Sequence, residues 1–185
     1  MDNNDSLLAV NQLFHGFEEN YKLLMEKNEI SFATEYKGQF AKILLLASAS
    51  YFEKKITNVI LDTLDTKNCI LTYNFLSKKA LSRQYHTLFD WEGNNANSFF
   101  GLFGQEFKKF MKKKVEGDLI LHKAIKDFLE LGKLRNQLAH NDYATFILNL
   151  TVEDINKKFI SAQFFVSKIK HFSDEYKSSL IIPST

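Results

Sequence analysis

The apolar positions of this chain recur at helical spacing almost throughout. Leu7, Val10, Phe14, Phe17, Tyr21 and Leu24 fall every three or four residues, which predicts a helix from Asp5 or Ser6, either of which can cap it, to about Lys27. A longer helix is predicted from about Thr34 to Leu64, burying Phe40, Ile43, Leu44, Ala47, Tyr51, Ile56, Val59, Ile60 and Thr63. Ser48, Ala49 and Ser50 in its middle are small enough to admit a second helix closely, from the same chain or from a second copy. From Thr66 to about Gly104 the pattern loosens: a short helix over Leu71–Leu81, a turn at Asp90-Trp91-Glu92-Gly93-Asn94-Asn95, and another short helix from Asn97 to Phe103. A lysine-rich helix follows over Gln105–Val115, broken at Gly117. Asp118 then opens a helix carrying Leu119, Ile120, Ala124, Ile125, Phe128, Leu129, Leu131, Leu134 and Leu138, a set apolar enough for the centre of a core. After a short extended connector at Phe146–Leu150, Thr151-Val152-Glu153-Asp154 reads as a capping box with Asp in the place of the usual Glu. The helix it starts continues through Ile155, Phe159, Ala162, Phe165, Val166 and Ile169 to about Tyr176.

Composition agrees with this pattern. A single Pro (Pro183) and seven Gly leave too few turn residues for a β-sandwich or barrel. No repeat, linker or low-complexity tract divides the chain, and its 185 residues fit one all-α domain. The net charge of +2 is too small to imply a nucleic-acid partner, so any such partner must be argued from local patches. Cys69 is the only cysteine, which rules out an intrachain disulfide, suits a reducing, cytoplasmic compartment, and reads best as a small buried side chain. The polar start, Met1-Asp2-Asn3-Asn4-Asp5, is unlike a signal peptide. The apolar run Ile43–Ala47 is far too short to span a bilayer, so no membrane partner is expected.

Most reaction signatures are missing. The five histidines are scattered without metal-ligand spacing. Gly101-Leu102-Phe103-Gly104 lacks the Lys-Ser/Thr of a phosphate loop. Glu106-Phe107-Lys108 matches a nuclease Glu-x-Lys only outside the sheet that such sites need. One segment remains, Leu134-Arg135-Asn136-Gln137-Leu138-Ala139-His140-Asn141, at the end of a strongly apolar helix. Arg135 is one of only two arginines, with Arg83, in a chain whose other basic residues are all lysine. Its planar fork of donors binds phosphate in a way that Lys does not. Five residues correspond to about 140° of helical rotation, so Arg135 and His140 converge only if the helix ends near Ala139. Asn141 suits the left-handed terminal position that such an ending requires. Without function, Arg135 would finish the helix by meeting terminal carbonyls and His140 would cap it.

Arg135-Asn136-Gln137-Leu138-Ala139-His140 resembles the Arg-x(4–6)-His signature of the HEPN superfamily, in which a polar residue commonly follows the Arg, as Asn136 does. Ala47-Ser48-Ala49-Ser50-Tyr51-Phe52-Glu53 resembles the long second helix of its RiboL-PSP group. Arg83-Gln84-Tyr85-His86-Thr87-Leu88-Phe89-Asp90-Trp91 with Asn94–Phe100 resembles that group's middle region. The likeness covers about residues 35–175. Asn141 stands where Gly is frequent in such sequences, and Asn tolerates the same backbone region. The resemblance implies a bundle of four to five main helices with a short irregular helical insertion. It also implies a metal- and cofactor-independent endoribonuclease, commonly a homodimer with both motifs in one cleft, and a toxin–antitoxin or phage-defence setting with an antitoxin or defence-system partner. Its implied catalytic residues are Arg135, Asn136 and His140: His140 moves protons, as an imidazole can near neutral pH, Arg135 stabilises the phosphorane, and Asn136 orients either. The other reading is a non-catalytic helical module that binds RNA, a nucleotide or a protein.

Four further features are set aside. Glu53 can hold the Arg135 fork but reads better as a solvated acid. Lys108, Lys109, Lys112, Lys113 and Lys114 can track an RNA backbone but read better as a charged helix face. Arg83 and His86 can contact a base, and Tyr85 and Trp91 can stack on one, though Tyr85 and Trp91 read better as core anchors.

Overall fold

A computed structural model describes residues 3–181. Met1, Asp2 and residues 182–185, with Pro183 among them, lie outside the described residues. The elements run α1 (Asn3–Glu26), α2 (Ile30–Thr63), α3 (Ile70–Phe75), α4 (Asn97–Gly101), α5 (Gln105–Glu116), α6 (Leu119–His140) and α7 (Val152–Ile181), with no strand among the described residues. The fold is all-α. α1, α2, α5, α6 and α7 are the main helices, and the stretch from Thr66 to Gly104 holds only short helical pieces, as the pattern predicts.

α2 begins four residues earlier than the apolar stripe suggests, because the α1–α2 turn is tighter than a loop. Asn28 adopts a left-handed φ of 58°. The Asn28 N–H donates to Met25 O at 3.1 Å and the Glu29 N–H to Leu24 O at 3.0 Å, which together close a Schellman motif. The Ala33 N–H already bonds Glu29 O at 2.8 Å, so α2 is helical from its first turn. Gly104 plays the comparable part before α5, where its φ of 105° is open to glycine and strained for other residues.

The chain forms two compact units. One comprises residues up to Phe52 with Glu130–Ile160, the other Glu53–Leu129 with the chain from Ser161 onward. α2, α6 and α7 each contribute residues to both. In the first unit Phe17 is buried, with the rings of Tyr36 and Phe40 at 5.7 and 5.2 Å, and Phe159 meets Tyr51 and Phe52, each at 5.3 Å. In the second, Phe89 stacks on Phe99 at 4.5 Å and meets Phe128 edge-on at 4.9 Å, and Phe128 in turn meets Phe165. The abundance of Phe is thus spent on an aromatic cluster within each unit.

Three expected core residues are exposed. Ile43 is exposed because α2 buries the stripe Ala41, Leu44, Leu45, Ser48, Phe52 and Ile56, and Ile43 points to the opposite side of that helix. Leu119 and Ile120 are exposed in the first turn of α6. Asp118 caps that turn, accepting the N–H groups of Ile120 at 2.9 Å and Leu121 at 3.0 Å, and burial starts at Leu121. Ser48 and Ala49 are buried inside the single chain, so their small size serves packing there. Cys69 is exposed rather than buried, since the short pieces around it leave its side chain outside both cores.

Candidate functional site at the end of the sixth helix

Leu131 and Leu138 fix the orientation of the last turns of α6. Both are buried, and seven residues bring a helix back to nearly the same face. Arg135 lies about 40° from Leu131 on the helical wheel, at the edge of that buried stripe, and is half-buried. His140 lies about 180° from Leu131 and is exposed. Asn136 is half-buried and sits one turn before His140, on the same side of the helix.

A helix end before His140, the condition for Arg135 and His140 to converge, is not met. α6 continues through His140, and the Asn141 N–H still donates to Gln137 O at 3.1 Å. Asn141 does not take the left-handed conformation. Its side-chain Nδ2 instead donates to the same Gln137 carbonyl at 2.7 Å, which satisfies a helix-end acceptor without a reversal of the chain. Arg135 and His140 therefore stay about 140° apart on one helix.

Asn136 links the two. Its Oδ1 accepts a hydrogen bond from Arg135 Nη1 at 3.2 Å, which fixes one end of the guanidinium while the side chain remains on the face of His140. The remaining donors of Arg135 and the ring of His140 form no hydrogen bond or ion pair among the described residues. Arg135 thus does not finish the helix by taking terminal carbonyls, and His140 does not cap it. Glu53 forms no ion pair among the described residues either.

The segment after His140 is held from an unexpected direction. Lys42, on α2, is buried, yet its Nζ meets no carboxylate among the described residues. It donates to the carbonyl of Tyr143 at 2.7 Å and lies 4.9 Å from the centroid of the Tyr143 ring. Asp142 accepts the Ala144 N–H at 2.8 Å, and its carbonyl accepts the Phe146 N–H at 2.9 Å, so the chain turns sharply there. Sequence reasoning missed Lys42. The available signal is a lone cation in the apolar run Phe40-Ala41-Lys42-Ile43-Leu44-Leu45.

The connector ends at the capping box. The Asp154 N–H donates to Thr151 Oγ1 at 3.1 Å, and Asp154 Oδ2 accepts the Thr151 N–H at 3.2 Å and its hydroxyl at 2.8 Å. The Thr151 hydroxyl and N–H hold the Asp154 carboxyl below its ordinary range. Glu153 is lowered as well: burial pushes it up, but the Lys37 ammonium at 2.7 Å, its own backbone N–H and the Thr151 hydroxyl outweigh that.

Several of the set-aside residues have partners inside the fold. Tyr85 is buried in a ring cluster with Phe89 and Trp91, and Trp91 Nε1 donates to the His86 carbonyl at 2.8 Å, so both anchor the core. On α5, Lys109 pairs with Glu106, Lys112 with Glu116, and Lys114 with Glu175 of α7. No helix among the described residues is long and apolar enough to cross a membrane.

The described elements are all helical, and α6 ends in Arg-Asn-x3-His. The model of the RiboL-PSP-HEPN family matches residues 12–175, and the chain belongs to that family. No curated protein and no solved structure matches the chain significantly.

Proposed function

We propose that this protein is an endoribonuclease that works without a metal ion, with Arg135, Asn136 and His140 as its reacting groups. The observation that carries the reading is the end of α6: a guanidinium held at one nitrogen by Asn136 and, on another side of the same helix end, an exposed imidazole that forms no hydrogen bond or ion pair among the described residues. RNA supplies its own nucleophile. His140 takes the proton of the 2′-OH, whose oxygen attacks the neighbouring phosphorus. The bond from phosphorus to the 5′-oxygen breaks, and that oxygen takes up a proton, leaving a 2′,3′-cyclic phosphate and a 5′-OH. Arg135 donates two charge-assisted hydrogen bonds to the non-bridging oxygens as the phosphorane forms.

A single motif provides one imidazole for two proton transfers, on a different side of the helix from its arginine. A homodimer with facing α6 ends supplies the second imidazole and closes the gap. The family membership supports this arrangement, and with it a toxin–antitoxin or phage-defence role under the control of a partner protein.

The test is cleavage of mixed cellular RNA in excess EDTA by the wild type, Arg135→Ala and His140→Ala. The expected result is cyclic-phosphate ends from the wild type and two folded, inactive variants. Equal behaviour of all three overturns the proposal. Tight RNA binding without turnover by the wild type replaces it with a non-catalytic binding module.

A further inference from the structure

The chain carries two basic regions outside the site, and they differ in what their cations touch. Of the five lysines clustered on α5, Lys109, Lys112 and Lys114 are paired with carboxylates, while Lys108 and Lys113 form no ion pair among the described residues. Between Thr66 and Phe89 there is no acidic residue at all, while Lys67, Lys78, Lys79 and Arg83 are basic. The exposed side chains of Lys78, Lys79 and Arg83 form no hydrogen bond or ion pair among the described residues.

The first part of the stretch shows its apolar groups to solvent. α3 (Ile70–Phe75) buries none of its residues, and Tyr73 and Phe75 are 42% and 66% exposed. A π-helical turn, Leu76–Ala80, follows directly, closed by the Leu81 N–H on Leu76 O at 2.9 Å. The next turn, in which the Gln84 N–H donates to Leu81 O at 3.2 Å, presents Arg83 at a left-handed φ of 59°. An arginine there strains a backbone position that Gly or Asn would fill at lower cost. It is also one of only two arginines in the chain, the other being in the proposed site.

Exposed rings followed by unneutralised cations are what a single-stranded nucleic acid needs: planar faces for bases and charge for phosphates. We propose that residues 70–83 form a second RNA contact, with Tyr73 and Phe75 stacking on unpaired bases and Lys78, Lys79 and Arg83 taking backbone phosphates. The choice of RNA rests on the ribonuclease reading, and the patch would act by retaining single-stranded substrate.

Binding is measured by fluorescence anisotropy of a labelled oligouridylate in EDTA, in a His140→Ala background so that cleavage does not intervene. Replacing Lys78, Lys79 and Arg83 together by Gln is expected to weaken binding at least tenfold and to reduce the slope of log affinity against log salt by about two, since each single-strand phosphate contact contributes roughly 0.7. Tyr73→Ala with Phe75→Ala is expected to weaken binding by on the order of tenfold with the salt slope unchanged. These side chains form no hydrogen bond, ion pair or ring contact among the described residues, so the melting temperature should stay close to the parent value in both variants. Wild-type affinity in the triple variant overturns the proposal, as does a loss that instead follows Lys109→Gln, Lys112→Gln and Lys113→Gln on α5. Unchanged RNA affinity with lost flotation on phosphatidylserine vesicles replaces RNA by an anionic membrane surface. If the patch variants lose binding while the wild type never cleaves RNA, the patch stands and the nuclease reading falls. If cleavage is confirmed and the patch variants bind normally, the reverse holds.

Discussion

The end of α6 and the start of α7 are separated by a short loop and are built from similar materials, yet they are finished in opposite ways. At the start of α7, Thr151 and Asp154 satisfy one another through three hydrogen bonds, and Glu153 is engaged by Lys37. At the end of α6, Asn141 closes the Gln137 carbonyl, Asn136 takes one donor of Arg135, and the other donors and the exposed His140 ring form no hydrogen bond or ion pair among the described residues. A polar group used up inside the fold contributes to stability. One held in place but left unsatisfied is available for chemistry. The difference locates the candidate site more sharply than the identity of the residues does.

The most severe way to break this comparison is to remove the open groups. His140→Ala or Arg135→Ala should lower RNA cleavage by about 10²–10⁴-fold while the melting temperature holds or rises. A marked fall in melting temperature would show that the end of α6 is as closed as the start of α7. Lys42→Met comes next, because it leaves the Tyr143 carbonyl without its donor. It should cost about 1–3 kcal/mol in denaturant unfolding. Cleavage should fall less than in the motif variants, since Lys42 holds the backbone after His140 and touches no substrate. Thr151→Ala opens the closed end and should cost about 1 kcal/mol with cleavage by the folded fraction unchanged. Lost activity at full folding would put the capping box in the site.

The smallest expected effect concerns pH. Thr151 holds the Asp154 carboxyl below its unfolded value, so the box adds stability above the ordinary aspartate value of about 3.9 and loses it as pH falls through the lowered folded value. Acid unfolding of Thr151→Ala should accordingly show a weaker pH dependence in that window than the wild type. Coincident acid profiles would contradict the assignment.

What the sequence determined by itself is local. Helical periodicity placed the five long helices, and the Thr151/Asp154 box and Asp118 cap were legible because a cap and its target lie within a turn of each other. The Arg135–His140 motif was equally plain, and so was the family resemblance. Only the tertiary structure decided the rest. Whether α6 stops before His140 depended on how Asn141 satisfies a helix-end carbonyl, since Asn can close a helix by its backbone or by its side chain. The burial of Lys42 depended on Tyr143, 101 residues away. Which cations are neutralised likewise depended in part on acids that only folding brings near, as Glu175 shows for Lys114, 61 residues apart. A residue type sets the interactions a side chain can make, and long-range packing sets which of them it has left over.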